Sequence, residues 1–122
     1  MADIFRPIPN WKPSTPETSG SEFKSLASIH PALAIHFWAP WNGYGPPLDR
    51  SIQAIGNAFS GRLYFASCNI DLPDNLVLVR HCRVATIPTL AIFKGEEPQG
   101  LIVGFREPAQ LAEELERLLQ GF

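Results

Sequence analysis

The run Ala32-Leu33-Ala34-Ile35-His36-Phe37-Trp38 passes directly into Ala39-Pro40-Trp41-Asn42-Gly43-Tyr44-Gly45, and the architecture of the chain turns on that junction. The first run is apolar except for His36. It is too short for an ordinary helix and fits a strand buried on both faces. Residues 40–47 then bring Pro40, Gly43, Gly45, Pro46 and Pro47, which cannot continue a ladder and read as a loop. Asn42-Gly43 would mark a tight hairpin between alternating strands, but these flanks do not alternate, so the hairpin is rejected. Beyond the loop, Leu48, Ile52, Ile55 and Phe59 recur at helical spacing. They predict an amphipathic helix ending near Gly61, with Pro46 and Pro47 in a first turn where a missing N–H costs little.

Further along, Leu63 to Ile70 is a second buried strand. Asp71 to Asn75 turns the chain, and Leu76 to Cys82 makes a short helix. Thr89 to Phe93 is a third strand, Gly95 to Gly100 a turn, and Leu101 to Val103 a fourth strand antiparallel to the third. A last helix starts at Pro108. Leu111, Leu115 and Leu118 form its inner stripe, and Glu113, Glu114, Glu116 and Arg117 lie mainly outside. Upstream, Ser21 to Ala27 reads as a short helix with Phe23 and Leu26 on one face. Residues 1–20 form a Pro-rich arm, with a short edge strand read at Ile4–Ile8. The arm is expected to be disordered, or otherwise to lie on the sheet edge or on a partner. The domain proper is residues 21–122. Strands joined through helices are expected to pair in parallel. The fold class is α/β, a mixed central sheet flanked by helices on both faces.

The chain has 122 residues, enough for one domain with its own core. A net charge of -2 gives no electrostatic footprint for nucleic acid. No apolar stretch is long enough to span a membrane. The first residues lack a charged segment followed by an apolar run, so the expected location is the cytoplasm. Cys68 and Cys82 are the only cysteines. Two are too few for a disulfide framework and match no zinc spacing. No metal and no cofactor are expected.

Four sets of residues, in order and at matching spacing, resemble the thioredoxin family. Phe37 to Gly45 is similar to the family's strand-to-active-site stretch, F-W-A-x-W-C-G-P-C. Cys68-Asn69-Ile70-Asp71 is similar to the end of its next strand, Ile87-Pro88-Thr89 to its cis-proline loop, and Val103-Gly104 to the strand end opposite that loop. The resemblance covers about residues 21–122 and implies a thioredoxin-like fold. It also implies that Asn42 stands in the place of the nucleophilic cysteine and Gly45 in that of the resolving one. Tyr44 would replace the proline between them, His36 a buried aspartate and Ser67 a lysine.

Disulfide exchange needs an attacking thiolate and a resolving thiol, and an amide supplies neither. The resemblance therefore implies a redox-inactive module that binds a protein or extended peptide, with no bond-breaking step, in a chaperone-like manner. Its site would comprise Trp41, Asn42, Gly43, Tyr44, Ile87, a cis Pro88 and Gly104, with the Ile87 backbone pairing as an added strand. Against this stand plainer readings: Asn42 as a loop filler, Trp41 as a packing remnant, Pro88 as a loop former, and His36 as a neutral core histidine with one hydrogen bond. An alternative function is a thiol-dependent redox protein using Cys82. His81 and Arg83 would lower its pKa, and a helix C-terminus would raise it. A third is a structural subunit engaged through the arm. Cys68 reads as an inert core thiol.

Overall fold

The computed structural model describes residues 6, 8–120 and 122. The strand read at Ile4–Ile8 lies outside them but for Arg6 and Ile8. The elements are α1 (Phe23–Ile29), β1 (Ala32–Trp38), α2 (Gly45–Ile55), β2 (Tyr64–Asn69), α3 (Leu76–His81), β3 (Thr89–Lys94), β4 (Glu97–Val103) and α4 (Pro108–Leu119). Short 3-10 turns follow α2 and precede α3. The sheet order is β2-β1-β3-β4.

Central placement explains why β1 is apolar but for His36. Its odd residues Leu33, Ile35 and Phe37 pack with Phe23 and Ala27 of α1 and Leu78 of α3. Ala34, on the other face, packs with Leu48, Ile52 and Ile55 of α2 and Leu111 and Leu115 of α4. Period-two alternation thus feeds two cores from one strand.

β1 and β2 pair in parallel, as expected, but β3 runs antiparallel to β1. The reason lies in the length of α3. A parallel crossover must travel back along a strand of six residues, about 20 Å. A six-residue helix advances only about 9 Å. The chain therefore re-enters the sheet at the end where it left, with Thr89 opposite Phe37. The fourth strand also begins earlier than expected, at Glu97 rather than Leu101. Pro98 and Gly100 read as turn residues, yet β4 is an edge strand, where a missing N–H is tolerated.

Residues 16–18 of the arm lie along the outer edge of β2. Ser67 N–H donates to Pro16 O at 2.8 Å, and Thr18 N–H donates to Ser67 O at 2.7 Å, a parallel bridge centred on Glu17. The expectation of disorder fails because an edge strand offers unpaired donors and acceptors, and proline still brings a carbonyl. Asn75, fully buried, secures the arm's end. Its side chain accepts from Gly20 N–H at 3.0 Å and donates to Asn69 O at 2.8 Å.

At the end of α3, Val84 N–H reaches Val79 O and Arg83 N–H reaches Arg80 O, the pattern of a Schellman cap. Arg83 takes the left-handed φ of 56° that this cap requires and that glycine adopts without a Cβ penalty. Arg83→Gly is expected to raise stability by about 0.5–1 kcal/mol, read as a higher urea midpoint at unchanged m-value.

Candidate functional site

β1 delivers the chain to the loop of residues 39–44 at the edge where β2 also ends. β3 starts there too, so three segments distant in sequence meet. The Ile87–Pro88 peptide bond is cis. Pro88 O accepts from Gly104 N–H at 2.8 Å, which ties the loop to the end of β4. Gly104 has φ of 87°, a conformation that favours glycine.

A groove of about 290 Å³ opens between the loops, lined by Trp41, Asn42, Ile70, Val79, Val84 and Ile87, with Ala85 and Thr86 at its rim. That volume sits at the low end for a ligand site and suits one or two apolar side chains better than a cofactor. Trp41 is 58% exposed. Its indole N–H donates to Asp71 Oδ1 at 3.1 Å, and Asp71 N–H is held by Asn69 Oδ1 at 2.9 Å. That bond orients the ring, which stays largely exposed to solvent.

Asn42 bridges the two loops. Its Nδ2 donates to Ile87 O at 3.2 Å, and its Oδ1 accepts from Tyr44 N–H at 2.9 Å. The residue read as a ligand contact or a loop filler is therefore a brace. In the Ile87 backbone, expected to pair with an incoming strand, the carbonyl already accepts one hydrogen bond. Of the residues read as a site, Trp41, Asn42 and Ile87 converge on the groove. Tyr44 is exposed on the loop without lining it, Gly43 and Pro88 are buried behind it, and Gly104 acts through the backbone.

Beneath the loop, His36 is fully buried, and neither ring nitrogen has a hydrogen-bond partner among the described residues. Burial pushes its pKa down to about 3, so it is neutral at physiological pH. The single hydrogen bond expected for it is not found. Trp11 of the arm covers this region. It meets Trp38 edge-on with centroids 5.5 Å apart and His36 at 6.5 Å. Asp49, also buried, accepts from the Ser14 N–H and hydroxyl and from Gln53 Nε2, each at 3.1 Å. Trp11, Ser14 and Asp49 had no motif to point to them. The one available signal was a tryptophan set within an otherwise linker-like segment.

Cys68 is 0% and Cys82 4% exposed. Burial pushes both thiols up to about 12, so neither holds a thiolate near neutral pH. For Cys82 burial is the cause of the rise, with no lowering from His81 or Arg83 beside it. Its side chain turns into the core with Leu78 and Phe93, and His81 is engaged with Glu96 O at 2.8 Å. Among the described residues no three His, Cys, Asp or Glu side chains gather as a metal site requires. No helix among them is long and apolar enough to cross a membrane.

Comparison with known proteins agrees with this geometry. Thioredoxin from Synechocystis sp. is 32% identical over 108 residues, spanning 87% of this chain and 98% of that one. Thioredoxin 1 from Nostoc sp. is 30% identical over 105 residues, spanning 84% and 95%. The crystal structure of oxidized mitochondrial thioredoxin 3 from Saccharomyces cerevisiae superposes with a TM-score of 0.73 at 23% identity, covering 85% of this chain and 95% of that one. The thioredoxin family model matches residues 14–117, from the arm's anchor at Ser14 through most of α4. With a family match over most of the chain and relatives matched over the same region, the chain belongs to the thioredoxin family.

Proposed function

We propose that this domain holds an extended, apolar segment of a partner protein in the groove beside Trp41 and performs no dithiol chemistry there. One observation carries the reading. The resemblance puts Asn42 and Gly45 where dithiol chemistry would need cysteines, and both cysteines of the chain lie in the core with their pKa pushed up to about 12. Exchange proceeds through a thiolate, and neither thiol supplies one at the surface. What remains exposed is an oriented tryptophan beside an apolar groove, a pairing that commonly anchors protein partners.

A second reading, a thiol-dependent redox protein acting through Cys82, is favoured by the relatives, which are named thioredoxins. It requires Cys82 to leave the core at the end of α3. Insulin-disulfide reduction by dithiothreitol separates the two. On the binding reading, the protein accelerates it no more than buffer does, and Cys82 reacts with a maleimide only after unfolding. A rate enhancement that disappears in Cys82→Ala, together with fast native labelling, would establish the second reading instead.

A further inference from the structure

We infer that Asn42 gates the main-chain acceptor of this groove, its side-chain amide standing in for the N–H of a bound segment; the inference rests on the binding reading above. Three consecutive carbonyls edge the cis-proline loop, and each is engaged within the chain. Thr86 O accepts from the Thr89 hydroxyl at 2.7 Å, and Pro88 O accepts from Gly104 N–H at 2.8 Å. Those donors sit at the start of β3 and just past the end of β4, so withdrawing them disturbs the sheet. Ile87 O differs. Its donor is the Asn42 amide at 3.2 Å, the longest of the three bonds, and it comes from a half-buried side chain on a loop.

A rotation about the Asn42 side chain removes that donor without moving any strand. A peptide N–H arriving in its place exchanges one amide hydrogen bond for another. The Tyr44 N–H, which holds Asn42 Oδ1 at 2.9 Å, keeps the gate closed in the free protein. An extended segment therefore finds the apolar pocket open and the Asn42 amide seated on the backbone acceptor, across the approach of a second donor. Only a segment whose side chain fills the pocket well enough to offset displacement of Asn42 gains the main-chain bond. This makes Asn42 a specificity-determining residue that rejects weakly fitting chains.

The test uses a fluorescent, N-acetylated octapeptide of alternating leucine and serine, with a second version N-methylated at each leucine. Binding to the wild type, Asn42→Ala and Asn42→Asp is followed by anisotropy. Asn42→Asp keeps the oxygen that accepts from Tyr44 N–H but carries no donor for Ile87 O, so it opens the gate with the loop anchored. Both variants are expected to bind the unmethylated peptide about 3- to 10-fold more tightly than wild type, the worth of one net hydrogen bond. N-methylation should erase that gain. Equal or weaker binding by both variants, or a gain that survives N-methylation, overturns the gate while leaving the binding reading intact. Absence of binding by all three proteins overturns the binding reading, and the gate with it.

Discussion

His36→Leu is expected to raise stability by about 2 kcal/mol at pH 7 and by about 4 kcal/mol at pH 5. The first part comes from removing a buried ring whose two nitrogens have no hydrogen-bond partner among the described residues. An unsatisfied buried polar group costs about 1–3 kcal/mol, and leucine of similar bulk has none. The second part is linkage. The folded-state pKa of His36 is about 3, below the ordinary 6.5, so below pH 6.5 the unfolded chain binds the extra proton. The contribution of neutral His36 is complete above pH 6.5 and is lost as pH falls toward 3. The loss is about 1.4 kcal/mol per pH unit once the unfolded histidine is protonated, or about 2 kcal/mol between pH 7 and 5. Asp49 titrates with the opposite sign, since burial raises its pKa, but it is common to both proteins and cancels in the difference. Urea titrations of the two proteins at pH 7, 6 and 5 measure the gap. A gap independent of pH would mean that His36 is solvated and titrates normally.

Burial on both faces is why β1 and β2 were legible: it writes a continuous apolar run into the sequence, and each run begins and ends within a residue or so of the observed strand. The direction of β3 was not legible from periodicity, which records faces and carries no sign. It followed from the reach of α3, whose length the sequence did predict. The arm misled because Pro, Ser and Thr suit both a solvated linker and a strand added at an edge. The choice depended on β2 having a free edge, a property of the assembled sheet. The groove was legible in part. Trp41, Asn42 and Ile87 could be named from the resemblance, but the bond joining Asn42 to Ile87 spans 45 positions and has no local signature. For Cys82 the charged neighbours suggested reactivity. Its side chain faces the core, a direction that its neighbours in sequence do not record.

Trp11→Ala is expected to lower stability by about 2–3 kcal/mol, through lost burial and the lost edge-on pair with Trp38. A truncation within a freely moving arm would cost almost nothing, so the size of the effect measures how firmly the arm is part of the fold. Its partner residue gives a sharper test. A Cβ built on Gly45 would lie 3.1 and 3.3 Å from two Trp11 ring carbons, closer than ordinary contact. Gly45→Ala is therefore expected to destabilise the wild type by about 1 kcal/mol, as overpacking does. In the Trp11→Ala background the same substitution should be neutral or stabilising, because alanine is the better helix former and the obstruction is gone. The coupling in this double-mutant cycle should reach about 1 kcal/mol or more. An equal cost of Gly45→Ala in both backgrounds would separate Trp11 from the start of α2. A coupling of the expected size would show that any side chain at position 45, a thiol included, competes with the arm for the same space. Rebuilding a dithiol by Asn42→Cys and Gly45→Cys would then need Trp11 removed as well.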